Sequence, residues 1–366
     1  MNRAGGITST IFALDPPIRL QPKVESRPWE TSSRMPDSSG NFAQMLRAEI
    51  GTRNRVYALN FAYVESYGDP PVILYYPKDG RHGNFYGPAY TAILQCPLWR
   101  KRLEKVHTGS RRSLPKPVED PGRKWRELDS SMSSDALLMN VFCAPEVTRA
   151  PAVRNMLGIE GADLPEFGWR ARVPLKGGRA DRTEVDMSWD GLLVEAKLTE
   201  ANFQIRDAAI VEAYRDFDQV FDRDELLRIE LRQARRRQAT EFAEEFTQEW
   251  EPESDEETAR KYQSEIVARE RQSQPPVLAY AGYQLIRNVL AAHAQGKSFC
   301  VLHDARRPDL REAWYAVLKA VRDADLRGRL KVLTWQELAG VLPDALQEFL
   351  AAKYGILPYG KIESSA

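Results

Sequence analysis

The spacing of apolar residues along the chain switches between a period of two and a period near 3.6. EFGWRARVPL (166–175), TEVDMSW (183–189) and LLVEAKL (192–198) alternate as half-buried strands do, while KSFCVLH (297–303) and LKVLTW (330–335) are short apolar runs that suit buried strands. Helical spacing appears at Leu137, Leu138, Val141 and Phe142, and at Leu310, Trp314, Leu318 and Val321. It appears again at Ile210, Tyr214, Phe217 and Phe221, which predict one helix packed on a sheet. Ser133 or Ser134 can cap the first of these helices, and Asp135 suits its positive end. Further helices are predicted in GPAYTAILQCPLWRKRLEKVH, around AVRNMLGI, from AGYQLIRN and in WQELAGVLPDALQEFLAAKYG, and strands in VYALNFAYVESY and PPVILYY. The order α-β-β-β-α-β-α-β implies an α/β fold with a mixed sheet flanked by helices.

Breaks in this pattern divide the chain. Residues 1–40, with five prolines among scattered Ser and Arg, read as an extended N-terminal arm. Residues 41–130 form a mixed subdomain, 131–222 the first part of the sheet domain, 276–358 its second part, and 359–366 a tail. Between the two parts, 223–275 is a block of charge and helix formers. Arg228, Arg232, Arg235, Arg236 and Arg237 precede nine acids without a base from Glu241 to Glu257, and Pro275 and Pro276 end the block. It reads as a charged helical insertion, by default a solvated pair of helices, with a DNA clamp or an oligomer contact as the sharper alternative.

The 52 Lys and Arg balance the 52 Asp and Glu, so segregation matters more than net charge. From Arg100 to Arg126 ten basic residues face three acids, bracketed by Trp99 and Trp125. Arg100, Lys101, Arg102, Arg111, Arg112, Arg123 and Lys124 are the candidates for nucleic-acid contact, where basic groups would meet phosphates and aromatics would stack on bases. The plainer reading is a solvated loop with two tryptophans anchored in the core. The three cysteines, far apart in sequence, form no disulfide framework and are too few for an iron–sulfur cluster. With no signal-like segment and no membrane span, they suggest a cytoplasmic protein.

The chemistry concentrates in TEVDMSWDGLLVEAKLTE (183–200). Asp190-Gly191 is a strong two-residue hairpin signal, and a type I′ turn there makes opposed residue numbers sum to 381. Trp189 then faces Leu192, Asp186 faces Glu195, and Glu184 faces Lys197. Strict alternation puts Val185, Met187, Val194, Ala196 and Leu198 on the core face and Glu184, Asp186, Glu195 and Lys197 on the other. Directly opposed carboxylates repel on a solvent face, and a divalent cation removes the repulsion. Asp186 and Glu195, with the Ala196 carbonyl, are therefore candidate ligands of Mg²⁺, with Mn²⁺ as its substitute. Lys197 would orient a water and offset charge on a phosphate, and Glu184 would hold that lysine. The arrangement points to phosphodiester hydrolysis.

EVD, eight residues, then EAK, on a strand pair between helices, resembles the PD-(D/E)XK, restriction-endonuclease-like nuclease superfamily. SSDALLMNVF, VEAKLTEANF, YQLIRNVL and LTWQEL extend the resemblance to a group of stand-alone bacterial proteins of that kind, over roughly residues 80–350. The resemblance implies an αβββαβ core and Mg²⁺-dependent cleavage of DNA, of restriction or defence type, with Asp186, Glu195 and Lys197 at the signature positions. Two departures stand out: Val185 replaces the proline often found before Asp186, and Asn140 stands where many relatives carry a carboxylate on the preceding helix. Asn140 and Gln284, the latter at the start of a later helix, are supporting candidates. Alternatives are a nuclease of this fold acting on RNA or on branched or single-stranded DNA, or an inactive nucleic-acid-binding module. A homodimer would allow both strands of a duplex to be cut. GKS at 296–298 lacks the first glycine of a phosphate loop, so no nucleotide cofactor is expected, and the four histidines lack zinc spacing.

Overall fold

The computed structural model describes residues 39–107, 114–115, 123–182, 184–231 and 276–361. Its central feature is a five-stranded sheet. β3 (Glu166–Arg170), β6 (Glu184–Trp189) and β7 (Leu192–Ala196) are antiparallel in succession, and β11 (Ser298–His303) and β12 (Leu330–Thr334) then add parallel to β7, in the order β12-β11-β7-β6-β3. This is the mixed sheet, flanked by helices, that the element order implied.

Helices cover both faces. On one lie α1 (Ser39–Tyr57), α2 (Gly87–Gln95), α4 (Ser134–Phe142), α11 (Trp335–Ala339) and α12 (Asp344–Tyr354), whose Ile50, Ile93, Val141, Leu338 and Leu346 join Met187 and Val194 in one apolar cluster. On the other lie α8 (Tyr283–Gln295) and α9 (Pro308–Lys319), whose Val289 and Trp314 join Val185, Leu193 and Val301. Neither face of the hairpin is therefore a solvent face, contrary to the alternation argument. Val185 and Met187 also belong to opposite clusters, so the expected alternation is broken across the intervening Asp186.

The smaller elements are α3 (Pro97–Arg100), α5 (Pro151–Leu157), α10 (Ala324–Gly328) and two β-ribbons, β1 (Tyr63–Glu65) with β2 (Ile73–Tyr75) and β4 (Val173–Pro174) with β5 (Ala180–Asp181). VYALN belongs to the end of α1 and a following 3₁₀ turn and not to a strand, since Ile50, Asn54 and Ala58 sit one helical turn apart and are all buried. Pro97 divides the helix predicted from Gly87. The single helix read from Ile210 to Phe221 is two turns, α6 (Ala208–Val211) and α7 (Phe217–Val220), and Ile210 is exposed. The backbone between them pairs instead with the β4 ribbon, Lys176 N–H donating to the Ala213 carbonyl at 2.9 Å and Arg215 N–H to that of Pro174 at 3.0 Å.

The charged block begins as β9 (Arg228–Leu231), which alternates polar and apolar and pairs with β10 (Val277–Ala281); β8 (Ile205–Asp207) completes that three-stranded sheet. The helical hairpin expected across 223–275 falls otherwise on residues 232–275, outside the described ones. So do the arm up to residue 38, Arg111 and Arg112. Among the described residues no helix is long and apolar enough to cross a membrane.

The hairpin register is the predicted one from the turn as far as Met187, with Trp189 on Leu192, Ser188 on Leu193 and Met187 on Val194, but the predicted pairs Asp186–Glu195 and Glu184–Lys197 do not continue the ladder. Asp190 (φ 44°) and Gly191 (φ 77°) supply the two left-handed residues of a type I′ turn. Asp190 also accepts the N–H of Glu160 at 2.8 Å and that of Gly161, tying the turn to the loop before β3. Gly191→Ala should cost about 1 kcal/mol, lowering the melting temperature by about 2 °C in thermal denaturation.

Candidate active site

The ladder between β6 and β7 ends at Met187–Val194. Beyond it Asp186 does not form the next backbone pair; its Oδ2 accepts the Ala196 N–H at 2.8 Å. The carboxylate replaces a rung, the strands part, and β7 continues along β11, where the Lys197 N–H donates to the Leu302 carbonyl at 2.8 Å. Past β7, the buried Arg307 holds the departing chain by donating to the carbonyls of Glu200 at 2.8 Å and Ala201 at 3.2 Å. Trp335 Nε1 donates to the Lys197 carbonyl at 3.1 Å. The β7 side of the gap is thus fixed.

Three residues singled out from the sequence meet at this gap. Glu195 is only 1% exposed; its Oε1 accepts Lys197 Nζ at 2.8 Å and its Oε2 accepts Asn288 Nδ2 at 2.7 Å. Arg287 in turn donates to Asn288 Oδ1 at 2.9 Å and to the Glu184 carbonyl at 3.0 Å, so α8 fixes both strands of the hairpin. Burial alone would lower the Lys197 pKa, but Glu195, Glu200 and Asp186 outweigh it and raise the pKa above 10.5. Lys197 is therefore a fixed cation at neutral pH. Asp186 is the opposite case. Burial, then Glu195 and Asp135, push its carboxyl well above 3.8, against the weaker pull of Lys197 and the Ala196 N–H.

The supporting residues are placed differently. Asn140 binds the loop before α2, accepting the Tyr86 N–H at 2.6 Å and donating to the Asn84 carbonyl at 2.9 Å. The helix carboxylate that faces the site is instead Asp135, in the first turn of α4 beyond its Ser133 cap. Gln284 is half-buried at the start of α8, and the residue of that helix that touches Glu195 is Asn288, one turn on. Glu184 pairs with Arg102 at 2.8 Å rather than with Lys197. Glu200, unnoticed in the sequence, accepts the Ser134 hydroxyl at 2.5 Å and the Leu198 N–H at 2.7 Å. Helical spacing back from Asn288 and the Leu198-Thr199-Glu200 segment after Lys197 carried no distinguishing signal for these contacts.

Of the basic stretch, Arg100, Lys101 and Lys124 are exposed. Arg123 forms a two-pronged pair with Asp129 at 2.9 Å, and Arg102 is buried. Trp99 and Trp125 are both buried, their indole N–H groups donating to the carbonyls of Pro165 and Pro115 at 2.7 Å. The glycine of GKS, Gly296, ends α8 instead of opening a phosphate loop.

Among the described residues no group of three or more His, Cys, Asp or Glu is arranged to hold a metal ion. A cation at the gap would rest on Asp186 and Glu195, with backbone oxygen and retained water completing the shell. Hard oxygen donors in that number fit Mg²⁺ and not a thiolate- or imidazole-seeking metal. The raised pKa of Asp186 marks the place where positive charge is in deficit.

A family model described as Restriction Endonuclease associating with ARP matches residues 57–355. No curated protein and no solved structure matches the chain.

Because the folded state raises the Asp186 pKa, its ionisation opposes folding once the pH rises above 3.8. Asp186→Asn, which keeps an acceptor for Ala196, should raise the melting temperature by about 2 °C or more at pH 8. The gain should shrink as the pH falls toward 3.8, as measured by thermal melts across that range.

Proposed function

The chain belongs to the family of restriction endonucleases associating with ARP, and from that premise we propose that it hydrolyses phosphodiester bonds of DNA in a Mg²⁺-dependent reaction at the gap between β6 and β7. The observation that carries this reading is the convergence of Asp186, Glu195 and Lys197 where a side chain has displaced a rung of the ladder.

Mg²⁺, held by Asp186, Glu195 and the Ala196 carbonyl, would supply Lewis acidity toward a phosphate oxygen and a water, with Mn²⁺ as a substitute. The protein's own groups do the rest. Lys197, whose pKa is raised by Glu195, Glu200 and Asp186, donates hydrogen bonds, orients the attacking water and offsets the charge that builds on the phosphate. Glu195 holds the ammonium at 2.8 Å, and Asn288 holds Glu195, so the cation is positioned before substrate arrives. Burial strengthens each of these interactions. Exposed Arg100, Lys101 and Lys124 are suited to phosphate contact along the duplex, with Arg123 beside them. One such gap per chain calls for a second copy to cut both strands, hence a homodimer on DNA. Three free cysteines, two of them buried, suit a reducing cytoplasm, and a defence role fits the family.

Purified protein should nick or cut supercoiled plasmid in Mg²⁺ or Mn²⁺, and not in EDTA. Glu195→Gln and Lys197→Ala should each lower the rate by about 100-fold or more while the far-UV spectrum is retained. Cleavage that survives both changes sinks the assignment, and faster turnover of RNA or single strands in parallel reactions redirects it to another substrate. Lys101→Ala and Lys124→Ala should weaken binding of unrelated duplexes alike, each reducing the salt slope by about 1 in anisotropy titrations.

A further inference from the structure

More acids surround the gap than one cation needs, and two of them already have a cation. Arg102 reaches in from the 3₁₀ turn Lys101–Glu104, placing Nη2 at 2.6 Å from Asp135 Oδ2 and Nη1 at 2.8 Å from Glu184 Oε2. Lys105 Nζ stands 3.6 Å from the same Asp135 oxygen. Burial opposes the charge on Arg102, but Asp135 and Glu184 more than compensate and raise its pKa, so it stays cationic. One guanidinium thus bridges the carboxylate of the helix before the hairpin and that of its first strand.

The sheet makes room for this bridge. Gly168 on β3 lies level with Asp186, between the pairs Phe167–Met187 and Trp169–Val185. A Cβ there would collide with Arg102 Nη1, come within 2.9 Å of its Cζ and lie 3.3 Å from Glu184 Oε2. Gly168 also adopts φ +67°, which other residues resist. Glycine is needed twice over, for its backbone angle and for the empty volume that the guanidinium fills.

We propose that Arg102 is a built-in cation that closes the Asp135–Glu184 acid pair to metal, so that the site takes a single divalent ion on Asp186 and Glu195. The inference rests on the reading of Asp186 and Glu195 as metal ligands. Arg102 is then a positioning residue. It removes two negative charges that would draw the ion off Asp186 and repel an incoming phosphate, and it does so with a group that cannot dissociate. Asp135, at the positive end of α4, serves as its anchor and not as a ligand.

Mn²⁺ titration calorimetry on the full chain, free of DNA, tests the proposal. The wild type should bind one ion. Asp135→Asn and Glu184→Gln should each still bind one, with affinity changed by less than about fivefold, whereas Asp186→Asn should lose about tenfold or more. Arg102→Gln, which frees the acid pair, should gain a second ion; if that variant fails to fold, Asp135→Asn and Glu184→Gln decide alone. Two ions in the wild type, or a loss in Asp135→Asn equal to that in Asp186→Asn, would overturn the built-in cation. A wild type that binds no Mn²⁺, or an Asp186→Asn protein that binds it normally, defeats the metal-site reading itself and the inference with it.

Discussion

The hydrogen bond from the Ala196 N–H to Asp186 sets the geometry on which the candidate site depends. An antiparallel ladder would ordinarily continue past Met187 and Val194 with backbone partners. Here a side-chain carboxylate takes one donor, and two consequences follow from that one exchange. Alternation breaks across Asp186, with Val185 and Met187 in opposite apolar clusters. β7 is released from β6 yet remains paired with β11, so Glu195 and Lys197 stand at the end of a central strand backed by parallel β11, with β12 beyond it. A rigid scaffold thereby ends at the place where charged groups need fixed positions.

The electrostatics around that bond are unevenly compensated. Lys197 and Glu195 face each other, Asn288 completes Glu195, and Arg102 serves Asp135 and Glu184. A buried charge left without a partner costs several kcal/mol, and these pairs avoid that. Asp186 is the exception: its partner is a neutral amide, and the carboxylates near it raise its pKa further. Among these neighbouring groups Asp186 is the one left without a paired cation, and carboxyls perturbed in this way cluster at functional sites.

The hairpin was legible because its turn is determined by two residues. Asp190-Gly191 fixes the register from Trp189–Leu192 to Met187–Val194, and so brings Asp186 and Glu195 to the point where the ladder stops. The element order likewise yields the mixed sheet, since each strand and crossover helix carries its own period. What alternation could not convey is that both faces are covered, because the helices that bury the second face come from residues 283–319, far along the sequence. Side-chain partners were the least legible. Asp135 reads equally well as a helix-end acid and as a site acid, and Asn288 differs from Gln284 only by one helical turn. Arg102 lies in a basic stretch whose other members face solvent, and only the glycine opposite Asp186 distinguishes it. The single helix predicted from Ile210 to Phe221 does not form because pairing with the β4 ribbon competes for the same backbone groups.

The way the charged block joins the fold has a bearing on its freedom to change. Leu231, the last residue described before it, and Val277, just after it, are cross-strand partners in β9 and β10. The segment leaves and re-enters the domain at two points already held about 5 Å apart by a hydrogen-bonded ladder. Two ends joined side by side in β9 and β10 transmit no geometric demand to the five-stranded sheet. Length and composition between those two residues can therefore drift among descendants of this chain with little penalty to the parted strands, making the junction a natural port where new sequence is admitted without re-tuning the chemistry.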